Sequence, residues 1–176
     1  MHVKAKKMAL GGLFLALTII CMVLGSVIET STLFLLAAAS FFVGIVIREA
    51  GQKTGVAFYL AAVLLGFMVA PNKFYVISFA AMGLYILLIE MAYSRIGRMD
   101  GRFHRKGLFW VVKYIIFNLM YIPILVIFQE LLFGKALSGI MLAAAAVAGQ
   151  IGLWIYDRAY EYFQVHFWNK MRGNLL

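Results

Sequence analysis

The chain has 176 residues, 65% of them hydrophobic and 13% charged, with a mean hydropathy of +0.95. These proportions exclude an ordinary water-soluble domain and place the chain in a bilayer. The formal net charge of +9 does not make it a nucleic-acid binder, because no basic face is interleaved with regularly spaced aromatics. In so apolar a chain the cations mark loops retained in the cytoplasm beside anionic lipid head groups.

A membrane-spanning helix needs about 20 mostly apolar residues. The opening MHVKAKK followed by an apolar run has the first two regions of a signal peptide. The run continues to Ile28 without an A-x-A cleavage signal, so it predicts an uncleaved first span over 8–28. A polar turn, Glu29, Thr30 and Ser31, leads to a second span over 32–47, closed by a polar turn from Arg48 to Thr54. The third span, 55–70, ends at Pro71, which cannot continue a helical ladder. The fourth, 74–93, runs into the basic stretch SRIGRMDGRFHRKG. The fifth, 108–133, contains Lys113, Asn118 and Pro123; the sixth covers 138–156. In the tail 157–176, Tyr160, Phe163, Phe167 and Met171 recur at spacings of three and four. That pattern predicts an amphipathic helix with its aromatic stripe on the membrane surface. Residues 1–156 thus form a six-helix membrane domain and 157–176 a cytoplasmic tail.

The cations orient this layout. Lys4, Lys6, Lys7, Arg48, Lys53, Arg95, Arg98, Arg102, Arg105, Lys106, Arg158, Lys170 and Arg172 fall on one side, whereas only Lys73 and Lys135 fall on the other. Lys/Arg-rich loops stay inside, so both termini are expected in the cytoplasm.

Few residues offer chemistry. His2, His104 and His166 are far apart, Cys21 is alone in an apolar run, and no phosphate-cradling glycine loop occurs. Neither a metal site, a cofactor nor an enzyme activity is expected. Glu90 and Lys113 lie at matching depths on either side of the basic stretch, as an ion pair or as snorkelling ends. Tyr114, Asn118 and Tyr121 share a helix face, which either bonds a neighbouring helix or lines a ligand cavity. Glu29, Lys73, Glu130 and Lys135 are the charges expected at the outer surface, as a ligand clamp or simply as helix ends in water. Small residues four apart recur, among them Gly12 and Ala16 in the first span.

The stretch KAKKMALGGLFLALTII, with Gly12 and Ala16 followed by Leu17 and Thr18, resembles the first helix of the substrate-binding S components of energy-coupling factor (ECF) vitamin transporters. The size, the six helices and the basic turn VIREAGQKTGV also look like that family. The resemblance implies an all-α bundle in a bacterial cell membrane that binds a small micronutrient for uptake. It implies docking through Gly12 and Ala16 onto a coupling subunit, with ATPases supplied by other chains. Glu29, Asn118, Tyr121, Gln129, Glu130 and Gln150 are then the expected polar contacts to the ligand. The family's longer loop after the first helix is here reduced to Glu29, Thr30 and Ser31. A different class also fits the residues: a membrane scaffold or assembly factor recruiting lipid or protein partners through its basic loop and aromatic tail.

Overall fold

The computed structural model describes residues 2–97, 105–127, 138–168 and 170. The described residues are helical and contain no strand. The helices are α1 (His2–Val27), α2 (Thr32–Ala50), α3 (Gln52–Val69), α4 (Lys73–Ile96), α5 (Arg105–Ile127) and α6 (Gly139–Tyr162). A 3-10 turn, Glu29–Ser31, joins α1 to α2, and a π-helical segment, Phe163–Trp168, prolongs α6. Among the described residues, six helices are long and apolar enough to cross a membrane. A helix suits that solvent because it satisfies its backbone N–H and C=O groups internally.

The reversals follow from local chemistry. Between α2 and α3 the expected seven-residue turn shrinks to Gly51, whose N–H donates to Ile47 O at 3.0 Å. Its φ of 92° and ψ of 165° lie where a side chain is strained, so glycine alone reverses the chain cheaply. Arg48 and Glu49 stay helical because each finds a side-chain partner inside the fold. At the next reversal Ala70 is extended ahead of Pro71, and the Asn72 side chain caps α4 by accepting from Phe74 N at 3.0 Å. Lys73 Nζ donates to Phe67 O and Ala70 O, carbonyls freed at the end of α3. Of its two expected roles, Lys73 thus takes that of a helix-end residue. The Ser138 side chain accepts from Met141 N at 3.4 Å at the start of α6.

The core centres on α2, where Leu36, Ala39 and Val43 are fully buried against α1, α3 and α4. From α4, Val76, Phe79 and Ile86 complete it. Helix α5 packs on α4 and α6, while large apolar residues such as Leu119, Ile140 and Ile151 face outward, as the lipid requires. The helix boundary expected at Tyr156 is absent: α6 continues unbroken to Tyr162 and into the π-helical segment.

Candidate functional site: an apolar cleft beside a buried charged hub

The end of the bundle bearing Arg48, Lys53 and Arg95 is organised by the last turns of α6. The tail was expected to lay its aromatics on the membrane surface, yet Tyr160 and Trp168 are 2% and 3% exposed. Their rings, with Phe163 between them, pack on α1 and α2: Phe41 meets Tyr156, Tyr160 and Phe163, and Phe14 meets Trp168, at centroid distances near 5.4 Å. A stripe at helical spacing identifies an apolar face but not what covers it. Here the covering surface is protein. Of the same stripe, the Phe167 side chain and Met171 lie outside the described residues.

Two charged clusters converge on this segment. Arg48 Nε donates to both Glu90 carboxylate oxygens at 3.0 Å, and Tyr160 donates to Glu90 Oε1 at 2.6 Å. Gln164 Nε2 donates to the Tyr160 hydroxyl at 3.2 Å. On the other side Lys113 Nζ lies 2.8 Å from Asp157 Oδ2 and 2.9 Å from Glu161 Oε1. The ammonium also sits 4.5 Å from the Phe109 ring centre, where the aromatic face stabilises a cation. Farther along, Trp168 Nε1 donates to Glu49 Oε1 at 3.0 Å. The expected Glu90 and Lys113 pairing therefore does not form. Matching depth leaves the partner undetermined, and α6 brings better acceptors to Lys113 while α2 brings a bidentate donor to Glu90.

Of the expected ligand contacts, Asn118, Tyr121 and Gln150 come together at the α5–α6 contact. Gln150 Nε2 donates to Asn118 Oδ1 at 2.6 Å, Asn118 Nδ2 to Tyr114 O at 2.8 Å, and Tyr121 to Ala145 O at 2.8 Å. Their polar groups bond across and along the two helices, leaving only Gln150 Oε1 buried without a partner among them. The side chain of Glu29, together with Gln129 and Glu130, lies outside the described residues. Gly12 and Ala16 are exposed on α1, and a Cβ placed at Gly12 would meet nothing within 4 Å. Among the described residues that face is left exposed.

Beside the hub lies a cleft of about 540 Å³ between α2, α4, α5 and α6. Ala37 lines it from α2, Met82 and Tyr85 from α4, Phe117 and Tyr121 from α5, and Leu153 and Tyr156 from α6. Two of its three tyrosine hydroxyls are committed. Tyr121 bonds Ala145 O as above; Tyr156 shares a 2.6 Å hydrogen bond with Ser40 Oγ and donates to Met82 O at 3.3 Å. The third, Tyr85 OH, is buried without a partner although its ring packs between Phe117 and Tyr156. Sequence reasoning did not single out Tyr85 or Tyr156 as contact residues, and it marked Ser40 only as a small residue four before Gly44. A lone hydroxyl inside an apolar run carries no spacing signal, and only the meeting of four helices reveals it.

Among the described residues no three His, Cys, Asp or Glu side chains gather as metal ligands. The cleft offers shape and apolar contact, as small-molecule sites do, while the Tyr85 hydroxyl is buried and does not open into it. Fold and cleft together define a multi-pass helical membrane protein with a ligand-sized hollow in its bundle. No known protein-family model, curated protein or solved structure matches the chain.

Proposed function

We propose that the protein is the substrate-binding membrane subunit of a micronutrient uptake transporter, energised by separate coupling and ATPase subunits. The cleft carries this reading, since about 540 Å³ lies within the range of small-molecule sites, roughly 300–1,000 Å³. The unused Gly12 and Ala16 face on α1 supports it, because small residues let a partner helix approach closely. In this reading the basic end and both termini face the cytoplasm of a bacterial cell. The subunit captures its ligand from the outer side and reorients when the coupling subunit engages α1. The scaffold alternative loses an argument, because Tyr160 and Trp168 are spent inside the bundle.

Native mass spectrometry on gently extracted protein tests the proposal. A co-purifying small molecule together with a coupling chain and ATPases is the expected result. Protein carrying lipid alone, or an unrelated partner, would overturn it.

A further inference from the structure

We infer that a second cleft, at the end of the bundle where Arg48 and Lys53 lie, holds the phosphate group of an anionic phospholipid from the adjoining leaflet. Such a site stands apart from the uptake reading.

This cleft, of about 790 Å³, opens where the ends of α2 and α4 meet the start of α3. Its wall carries two cations, Arg48 and Lys53, against one acid, Glu90. Glu90 is already neutralised: Arg48 Nε donates to both of its carboxylate oxygens at 3.0 Å, and Tyr160 donates to Oε1 at 2.6 Å. Arg48 Nη1 takes no part in those bonds, and the side chain is 42% exposed, so a guanidinium held in place still has donors to offer. Lys53 is exposed and, among the described residues, forms no ion pair. The wall is therefore net positive.

The uncharged donors agree with that sign. The first helical bond of α3 runs from Gly55 N to Gly51 O at 3.0 Å, and no side chain caps that end. The amides of Gln52, Lys53 and Thr54 thus precede the ladder, at the helix end that favours an anion. Nearby side chains are spent on the fold, since Gln52 Nε2 donates to Ser94 Oγ, and Thr54 Oγ1 to Ala50 O at 3.1 Å. The cations and amides left over all donate, which suits phosphate oxygens.

Placement selects a lipid over a dissolved phosphate. Tyr93, 58% exposed in the cleft wall, is the kind of ring that sits at headgroup level. From Lys53, the exposed residues Ala57, Leu60 and Leu64 follow at helical spacing on one face of α3. An apolar track leading from the cation along a membrane-spanning helix fits an acyl chain, and a dissolved phosphate has no use for it.

The test is native mass spectrometry of the full chain in detergent, titrated with dioleoylphosphatidylglycerol or dioleoylphosphatidylcholine. The expected result is one phosphatidylglycerol per chain, held more tightly than phosphatidylcholine. Lys53→Gln should weaken it about 3–10-fold, the contribution of one cation beside an anionic group, and Lys53→Arg should keep it. Lys6→Gln removes the same charge from an exposed position on α1 outside the cleft, and should change affinity by less than about 2-fold in physiological salt. Equal affinity for the two lipids would overturn the inference. So would equal weakening by Lys53→Gln and Lys6→Gln, the mark of diffuse attraction. Excess inorganic phosphate should leave the lipid bound, and its displacement would reassign the cleft to dissolved phosphate and overturn the lipid assignment. Arg48 is left intact throughout, because its removal would strand the Glu90 charge inside the bundle.

Discussion

Lys113 and Asp157 meet 2.8 Å apart with side chains 3% and 1% exposed, a buried ion pair joining the first turns of α5 to the last turns of α6. Removing one partner leaves an uncompensated charge in a low-dielectric interior, which costs about 3–5 kcal/mol. Lys113→Met should lower stability by that amount in thermal or denaturant unfolding in detergent. The double variant Lys113→Met with Asp157→Leu should recover most of the loss, because an apolar pair of similar volume suffers no charge desolvation. An additive double variant would show that the pair is not what holds the two helices.

Tyr160 reports on the second cluster. Its hydroxyl donates to Glu90 at 2.6 Å inside the bundle, and a hydrogen bond to a charged group contributes about 1.5–3 kcal/mol. Tyr160→Phe should lose that much in unfolding measurements while retaining helical content by circular dichroism. A loss below about 0.5 kcal/mol would show that Arg48 alone satisfies the carboxylate.

The two glycines Gly44 and Gly12 should respond in opposite ways. A Cβ at Gly44 would lie 1.9 Å from the Tyr160 hydroxyl, so Gly44→Ala must push that ring off α2, at a cost of about 1–3 kcal/mol. At Gly12 a Cβ meets nothing within 4 Å, and Gly12→Ala should leave stability unchanged or slightly raised, since alanine favours the helix. Equal effects of the two substitutions on melting temperature would contradict the packing of α6 on α2.

Gly12→Leu separates the folded bundle from its use. Under the proposed uptake role it should abolish ligand uptake in cells while ligand binding and thermal stability of the purified protein stay as in the wild type. Loss of both together would remove the docking face from the argument.

At Gly51 the test is backbone conformation. Replacing it with alanine at φ 92° and ψ 165° forces a side chain into a region almost reserved for glycine, at about 1–3 kcal/mol. Gly51→Ala should lower the unfolding midpoint accordingly, and no change would mean that the α2–α3 reversal relaxes freely.

The helices themselves were legible in the sequence, because a bilayer demands long apolar runs and the runs are there. Their ends were less so. Arg48 and Glu49 look like turn residues in a string of letters, since an isolated charge belongs in water. Inside the fold Glu90 and Trp168 satisfy them and α2 simply continues. The same difficulty misplaced Lys113, whose depth was evident but whose partners came from a helix more than forty residues away. Asn118, Tyr121 and Gln150 stood out as polar groups within spans, and the structure gathers them at one helix contact. Tyr85 did not stand out, because its distinction is the absence of a partner, and partners are a property of neighbours.

The sequence by itself determined the apolar composition that suits a bilayer and the long apolar helices that could cross it, for these depend on composition and on distances along one helix. Tertiary structure alone decided that the aromatic stripe of α6 turns inward, that two ion clusters form with exchanged partners, and that a cleft opens between four helices. Those outcomes depend on which surfaces meet. A helical period shows that a face is apolar, and the competition between lipid and protein to cover it is settled only when the helices pack.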